Sequence, residues 1–217
     1  KFLKLKSIPR LHYFTQENLP FSYEEQVKLV SSCDCEFIHL RIKNSNKAAY
    51  LAIAQKCMKI ARNNNVKLIV WDYPDVAQKI HADGIHFSEL NSISLKHLKK
   101  LNNEFSLGCS VNSLDDVMDL KYEFDYLFFG PYENRNSKDE KNKIIGITGY
   151  KTLIDEMTKK QLYTPVIAAG GIRLTDVAFL APSGIYGLAI STEIFDVHDV
   201  SLEIRKFQAA IKSGWEI

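Results

Sequence analysis

The sequence predicts a (β/α)8 barrel, the architecture also called a TIM barrel, and three observations lead to this prediction. A chain of 217 residues suits one barrel domain spanning 1–217. Short β-rich runs alternate with longer segments of helical periodicity along its whole length. The turn after the first predicted strand reads Thr-Gln-Glu-Asn at 15–18, whereas a doubly wound open sheet usually carries a glycine-rich turn there. We therefore favour a closed barrel over an open sheet.

Eight strand–helix units account for the chain. Most strand segments are continuous apolar runs, as strands covered on both faces require. The predicted strands are 12–15, 36–41, 67–72, 84–87, 106–111, 126–130, 165–169 and 185–190. The predicted helices are 23–32, 47–64, 76–81, 95–102, 114–122, 150–160, 175–180 and 202–213. Ser22, Ser113 and Thr175 are predicted to cap helices, because each precedes acidic residues that suit a first helical turn.

The composition of the chain indicates which kinds of molecule it binds. The 28 basic and 26 acidic residues are spread along the chain and give a net charge of +2, which argues against nucleic-acid binding. No apolar run reaches the roughly 18 residues of a membrane span, and no export signal precedes the first strand. The four cysteines do not form the two pairs of a zinc site, and reduced thiols fit a cytoplasmic protein. We expect phosphorylated small molecules as partners, with homo-oligomerisation left open.

One connection is longer than the others. The segment 131–148, after the sixth strand, is polar and charged. Long loops on the active face of a barrel often act as lids, so we expect a lid here. A solvated insertion without a function is the alternative.

Polar residues at the carboxyl ends of strands face the active site of such a barrel. Alternation after strand two places His39, Arg41 and Lys43 on one side, where two cations suit a phosphate or pyrophosphate; a pair of surface cations is the alternative. Asp72 ends strand three, where a carboxylate suits Mg²⁺. It equally suits the N-cap of the following helix, and the sequence leaves both roles open.

A second group of residues predicts a phosphate pocket. Gly170 and Gly171 follow strand seven, and Ser191 and Thr192 follow strand eight. Free backbone amides and hydroxyls at these two strand ends bind phosphate in many barrels. Further donors are expected from Ser110 on strand five and from Ser137 and Lys138 in the long loop, whereas His86 and Cys109 are expected in the core.

In this order and spacing, the motifs resemble those of the thiamine-phosphate synthase family, which includes the related thiazole tautomerases. The resemblance spans nearly the whole chain. It rests on His-Leu-Arg-Ile-Lys at 39–43, Ala-Asp-Gly-Ile-His-Phe at 82–87, Asp-Tyr-Leu-Phe-Phe-Gly-Pro at 125–131, Ala-Gly-Gly-Ile at 169–172 and Gly-Leu-Ala-Ile at 187–190.

The resemblance implies a reaction. The synthases join a pyrimidine methyl diphosphate to a thiazole phosphate and release pyrophosphate. Carried over, it implies that pyrophosphate is bound by Arg41, Lys43, Ser110 and Lys138. It implies that Mg²⁺ is held by Asp72 and Asn91. It implies that the substrates are further contacted by His12, His39, Ser137, Gly170, Gly171, Ser191 and Thr192.

The chain also departs from the family pattern. Trp71 replaces an asparagine beside the metal-binding Asp72, and Asn91 replaces a second metal-binding aspartate. Glu89, two residues earlier, is the alternative second ligand. Arg135 replaces a threonine of the lid. The proton-transferring histidine of the tautomerases aligns with Asn112, so His12 or His39 would have to serve instead. We favour a synthase because the pyrophosphate-binding cations are retained; a tautomerase and a catalytically silent binder of thiamine precursors are the alternatives.

Overall fold

Eight parallel strands in sequence order form a closed barrel, with β8 paired to β1. The computed structural model describes residues 7–33, 35–89, 98, 100–102, 104–118, 120, 124–133 and 144–215. The strands are β1 Leu11–Phe14, β2 Phe37–Leu40, β3 Lys67–Trp71, β4 Gly84–Phe87, β5 Ser106–Val111, β6 Tyr126–Phe129, β7 Val166–Ala169 and β8 Gly187–Ile190. All eight coincide with predicted strands to within about two residues, so the barrel is confirmed.

Helices cover the outside of the barrel. Within the described ranges they are α1 Tyr23–Ser31, α2 Lys47–Asn63, α3 Pro74–Ile80, α4 Leu114–Met118, α5 Gly146–Lys159, α6 Val177–Leu180 and α7 Val200–Gly214. The predicted helix 95–102 lies mostly outside those ranges, although Leu98, Lys100 and Leu101 are helical. No helix in the described part of the chain is long and apolar enough to cross a membrane.

Two predicted helices differ from the structure. Helix α5 begins at Gly146 instead of residue 150, because Ile145 and Ile147 pack against the core and extend the apolar face of the helix. Residues 146–148 of the predicted lid are therefore helical, while 134–143 lie outside the described residues. The segment predicted as helix 175–180 is divided into a 3-10 turn at Leu174–Asp176 and the short α6.

Side chains cap several helices as predicted. The Ser22 hydroxyl accepts the Glu25 N–H, and the Glu25 carboxylate accepts the Ser22 N–H at 2.7 Å, which completes a capping box. The Ser113 hydroxyl accepts the Asp116 N–H at 3.1 Å. The third predicted cap, Thr175, is wrong, because the turn starts after Arg173 and the Asp176 carboxylate accepts the N–H of that residue.

Large side chains fill the interior of the barrel. Two strand glycines make room for them, and a Cβ added to Gly108 would lie only 2.1 Å from Cζ of Tyr126. The interior layer includes His12, Phe37, His39, Ile69, Trp71, His86, Tyr126, Phe128, Ile167 and Ala189. Because this layer closes the barrel from below, an active site can open only above it, at the carboxyl ends of the strands.

Candidate active site

A cavity of about 280 Å³ opens at the carboxyl ends of β2, β3 and β4. Its wall combines cations, hydroxyls, a carboxylate and an indole ring. The lining residues are Arg41, Ile42, Lys43, Asn44, Ser45, Trp71, Asp72, Tyr73 and Ser88. The predicted cation pair and the predicted metal-binding carboxylate therefore lie around one space.

Arg41 is the half-buried cation of this cavity. Its backbone is fixed by Thr15, whose hydroxyl accepts the Arg41 N–H and donates to the Arg41 carbonyl oxygen, both at 2.9 Å. Its guanidinium carbon lies 5.2 Å from the centroid of the Trp71 ring, a cation–π distance. Burial lowers the pKa of Arg41, and the nearby Glu17 and Asp72 oppose that shift. A guanidinium this well positioned binds an oxyanion with little loss of side-chain freedom.

Lys43 lies at the rim of the same cavity. Its ammonium nitrogen is 3.9 Å from a carboxylate oxygen of Glu17, and both side chains are substantially exposed. An exposed pair at this distance contributes little to stability. Lys43 can therefore exchange this partner for a substrate phosphate at small cost.

Asp72 has a left-handed backbone, with φ of 60°, which non-glycine residues seldom adopt. Its N–H donates to the His86 carbonyl oxygen, and its two carboxylate oxygens accept the N–H and the hydroxyl of Ser88, each at 2.8 Å. The N-cap of α3 is Tyr73, which has no side-chain cap hydrogen bond. The carboxylate therefore points toward the end of β4, and the alternative that Asp72 caps the helix is wrong.

The oxygens beside Asp72 suit magnesium. Carboxylate and hydroxyl oxygens from Asp72 and Ser88 are hard ligands, and Mg²⁺ usually takes one or two carboxylates and completes its shell with water and substrate phosphates. Within the described residues, no group of three His, Cys, Asp or Glu side chains could enclose a metal without such help. Glu89 is exposed, and Asn91 lies outside the described residues. The donor set therefore fits an ion shared with a diphosphate.

Below the cavity, buried hydrogen bonds connect three side chains in one direction. The Pro9 carbonyl oxygen accepts from Nε2 of His12 at 2.9 Å, so Nδ1 of that neutral ring must itself accept. It accepts from Nε2 of His39 at 2.9 Å, and Nδ1 of His39 accepts the indole N–H of Trp71 at 3.1 Å. Both ring nitrogens of His12 and of His39 are thereby used inside the protein.

Burial keeps these histidines neutral. It lowers the pKa of His12 to about 3, against a hydrogen bond to Pro9 that raises it. It lowers the pKa of His39 and of His86 well below the usual value, with further contributions from His12 to both. All three side chains are fully buried, so the expectation that His86 belongs to the core is confirmed. The assignment of His12 and His39 to substrate contacts stays a prediction, and neither ring lines the cavity.

The neutral histidines predict a pH-dependent stability. Because their folded-state pKa values are depressed, their contribution is complete above pH 6.5, the ordinary histidine value, and is lost as the pH falls from there toward 3. Each proton taken up on unfolding steepens the fall by about 1.4 kcal/mol per pH unit. In His39→Gln, whose amide can both donate and accept, we expect the free energy of unfolding to fall less steeply between pH 6 and 4.5. The slope should be smaller by about 1.4 kcal/mol per pH unit, the equivalent of one proton.

Denaturant unfolding at a series of pH values measures this slope. His198→Gln removes an exposed imidazole and serves as the matched control, for which the wild-type slope is expected. An unchanged slope in His39→Gln would show that the buried ring is not the group that takes up a proton.

Ser110, near the end of β5, contacts a buried histidine. Its hydroxyl oxygen lies 2.9 Å from Nε2 of His86, and the His86 ring stacks on Trp71 with 4.3 Å between centroids. Nδ1 of His86 lies 3.4 Å from the Tyr126 hydroxyl. The serine is half-buried and is positioned by a neutral histidine. Cys109 beside it is fully buried, as expected of a core residue.

The predicted phosphate pocket at β7 and β8 already holds a carboxylate. Gly170 and Gly171 have φ of 86° and 72°, and a Cβ on Gly171 would lie 2.3 Å from the Glu133 carbonyl oxygen, so the loop after β6 packs directly on this turn. The Ser191 N–H donates to the carboxylate of Glu193 at 3.0 Å, and the Ser191 hydroxyl donates to the Phe14 carbonyl oxygen at 2.8 Å. Thr192 begins the following 3-10 turn.

The structure thus divides the predicted site residues into groups. Arg41, Lys43 and Asp72 share one cavity. Ser110 does not line it, but contacts His86, whose ring stacks on the cavity-lining Trp71. Gly170, Gly171, Ser191 and Thr192 form a second cluster at the ends of β7 and β8. Asn91, Ser137 and Lys138 lie outside the described residues, as does Arg135. All of their functional roles stay predictions.

The sequence analysis missed two residues that form hydrogen bonds with predicted site residues. Ser88, which holds both oxygens of Asp72, follows strand four directly and could have been found as a polar residue at a strand end. Glu193, two residues after Ser191, is the only carboxylate in the Ser-Thr-Glu run after strand eight, and that position could have indicated it.

A closed parallel barrel whose charged side chains line a cavity at the carboxyl ends of its strands has the architecture of the (β/α)8-barrel enzymes. A family model described as thiamine monophosphate synthase matches residues 13–194. The chain belongs to this family.

Individual relatives agree with this membership. A thiamine-phosphate synthase of Phocaeicola vulgatus is 27% identical over 197 residues, covering 90% of this chain and 95% of the relative. One of Flavobacterium johnsoniae is 28% identical over 202 residues, covering 91% and 93%. The solved structure of a thiamine phosphate pyrophosphorylase from Pyrococcus furiosus superimposes with a TM-score of 0.79 at 22% identity, covering 94% of this chain and 96% of the other, and supports the fold.

Proposed function

We propose that the protein is a thiamine-phosphate synthase, a transferase that joins 4-amino-2-methyl-5-hydroxymethylpyrimidine diphosphate to thiazole phosphate and releases pyrophosphate. The observation that carries the proposal is the placement of Arg41, Lys43 and Asp72 around one cavity at the ends of β2 and β3. A diphosphate needs cations for its oxygens and a carboxylate for the metal ion that accompanies it. Membership of the synthase family supports the same reaction.

The diphosphate of the pyrimidine substrate would lie against the cationic wall. Arg41 can donate two parallel hydrogen bonds to its oxygens, and Lys43 adds a mobile charge at the rim. Asp72 and Ser88 would hold Mg²⁺ on the opposite side. When bound there, Mg²⁺ neutralises charge on the diphosphate oxygens. We propose that Ser110 and Lys138 also donate hydrogen bonds to the diphosphate, as the family resemblance implies.

The bond between the pyrimidine methylene carbon and the diphosphate oxygen then breaks, and pyrophosphate leaves with the electron pair. Arg41 and Lys43 stabilise the negative charge that develops on this leaving group. The thiazole nitrogen donates its lone pair to the methylene carbon, which forms the thiazolium product without any proton transfer. The layer of large, mostly aromatic side chains beneath the cavity would limit the approach of water to the cationic methylene from that side.

The tautomerase alternative requires an imidazole with a free nitrogen at the substrate. His12 and His39, the two candidates, have both ring nitrogens engaged in hydrogen bonds inside the barrel. Burial also holds their pKa values below the range useful for proton transfer near neutral pH. We therefore retain the synthase as the proposed function, and a silent binder becomes an outcome of the assays below.

We also propose that the reaction takes place in the cytoplasm. All four cysteines are free and buried, and none forms a disulfide. Reduced cysteines suit a reducing compartment, where the phosphorylated substrates would also be retained.

Asp72 provides the test of the metal-dependent site. In Asp72→Asn the carboxylate charge is lost while the hydrogen bonds to Ser88 can largely be kept. We expect the Mg²⁺ concentration for half-maximal product formation to rise by about 100-fold, at the upper end of the effects seen when ligand spheres are altered. Steady-state rates over a Mg²⁺ titration measure it.

Asp75→Asn is the matched control, because Asp75 is a neighbouring surface carboxylate that pairs with Lys47 outside the cavity. It should leave the Mg²⁺ dependence unchanged. If Asp72→Asn and Asp75→Asn respond alike, the assignment of Asp72 to the metal site is incorrect.

A further inference from the structure

Glu193 directs its carboxylate at backbone N–H groups from two different loops. The Ser191 N–H, at the end of β8, donates to Oε2 of Glu193 at 3.0 Å. The N–H groups of Gly171, at the end of β7, and of Glu193 itself lie near enough to this carboxylate to lower its pKa. Burial raises the pKa of Glu193, and these backbone donors oppose that shift. The side chain is half-buried.

A carboxylate that only capped its own turn would need no partner outside that turn. The Gly171 N–H comes from the β7 loop, where Gly171 has φ of 72° and packs closely on the Glu133 carbonyl oxygen. The donors of two strand ends therefore converge on one anion. Backbone donors after strands seven and eight of a (β/α)8 barrel are the usual place for a substrate phosphate.

We propose that Glu193 occupies the subsite for the phosphate of the thiazole substrate and competes with that phosphate for the same N–H groups. This inference rests on the proposed function for the identity of the acceptor. Binding of the phosphate requires the Glu193 side chain to leave, since two anions cannot share these donors. Glu193 is thereby a specificity-determining residue: it lowers the preference of the site for a phosphorylated thiazole over the corresponding alcohol.

The competition has a direct energetic basis. A phosphate monoester carries a charge between about −1.5 and −2 near neutral pH, so a carboxylate in its place both blocks its donors and repels it. Like charges placed together in a desolvated site cost several kcal/mol. Removing the carboxylate should therefore strengthen phosphate binding, whereas loss of a true phosphate ligand would weaken it.

Calorimetric titration with inorganic phosphate tests this without any turnover. We expect Glu193→Ala to lower the Kd for inorganic phosphate by about tenfold or more relative to wild type. Glu193→Gln, which removes the charge but can still accept from the same N–H groups, should fall between the two. Repeating the comparison in an Arg41→Ala background separates this subsite from the diphosphate cavity, and the gain should persist there.

Asp196→Asn is the control for charge alone, because Asp196 is an exposed carboxylate three residues along the same segment. It should leave the Kd for inorganic phosphate near the wild-type value. Equal Kd values for wild type and Glu193→Ala, with both proteins folded by thermal melting, would overturn the proposal. An equal gain in Asp196→Asn would also overturn it, since the effect would then be general electrostatics.

The turnover readout distinguishes this inference from the proposed function. In Glu193→Ala the ratio of kcat/KM for thiazole phosphate to that for the thiazole alcohol should rise by about tenfold, with the KM for the pyrimidine diphosphate unchanged. If Glu193→Ala binds inorganic phosphate more tightly but no variant forms product, the synthase activity is refuted and the assignment of Glu193 to the phosphate subsite is retained. Product formation with an unchanged ratio would refute the role of Glu193 alone.

Discussion

Arg41→Ala should weaken binding of the pyrimidine diphosphate by about 100-fold or more. The guanidinium is half-buried over Trp71 and can make two charge-assisted hydrogen bonds, each of which contributes roughly 1.5–3 kcal/mol. Alanine removes both bonds and leaves the desolvated oxyanion without a partner. Calorimetric titration with the diphosphate substrate measures the effect. Arg41→Lys should recover only part of the loss, because an ammonium cannot make the paired contacts.

Two further variants test whether the loss of diphosphate affinity is specific to the cationic site. Cys33→Ser changes a buried thiol whose hydrogen bond goes to the Leu29 carbonyl oxygen, far from the cavity, and should leave diphosphate affinity unchanged. The sequence also predicts weaker binding for Lys138→Ala. Equal affinities for wild type, Arg41→Ala and Lys138→Ala would contradict the diphosphate site.

Gly108→Ala should destabilise the protein by about 3 kcal/mol, the upper range for an overfilled core. The added methyl group would lie 2.1 Å from Cζ and 2.5 Å from the hydroxyl oxygen of Tyr126, in the middle of the barrel. Tyr126 is fully buried among the other large side chains of the barrel interior. The free energy of unfolding in denaturant measures the loss.

A shorter side chain at the partner position provides the control. In a Tyr126→Leu background the ring atoms that would meet the new methyl group are absent, so Gly108→Ala should cost less than about 1 kcal/mol. The same cost in both backgrounds would show that the strand backbone, and not the tyrosine ring, makes glycine necessary.

The barrel was predictable because each strand can be recognised from its own local sequence. Runs such as 67–72 are apolar and bounded by polar turns, and eight of them in alternation with helices leave few alternatives. Convergence of Arg41, Lys43 and Asp72 was also predictable, since parallel strands end at the same edge of a barrel.

Other features depended on contacts between distant segments. The direction of the hydrogen bonds from Trp71 through His39 to His12 follows from which side chains meet inside the barrel, and no local pattern records it. The carboxylate of Glu193 was missed because one of the backbone groups near it, the Gly171 N–H, belongs to the loop after the preceding strand. The start of α5 was misplaced because apolar contacts of Ile147 outweighed the glycines around it.

The central claim is that this barrel couples a pyrimidine diphosphate to a thiazole phosphate. Its most direct test is to incubate the protein with both substrates and Mg²⁺, and to measure thiamine monophosphate by its fluorescent oxidation product together with the pyrophosphate released. We expect the two products in equal amounts, with formation dependent on Mg²⁺ and strongly reduced in Asp72→Asn. Absence of thiamine monophosphate, or release of pyrophosphate without it, would contradict the claim.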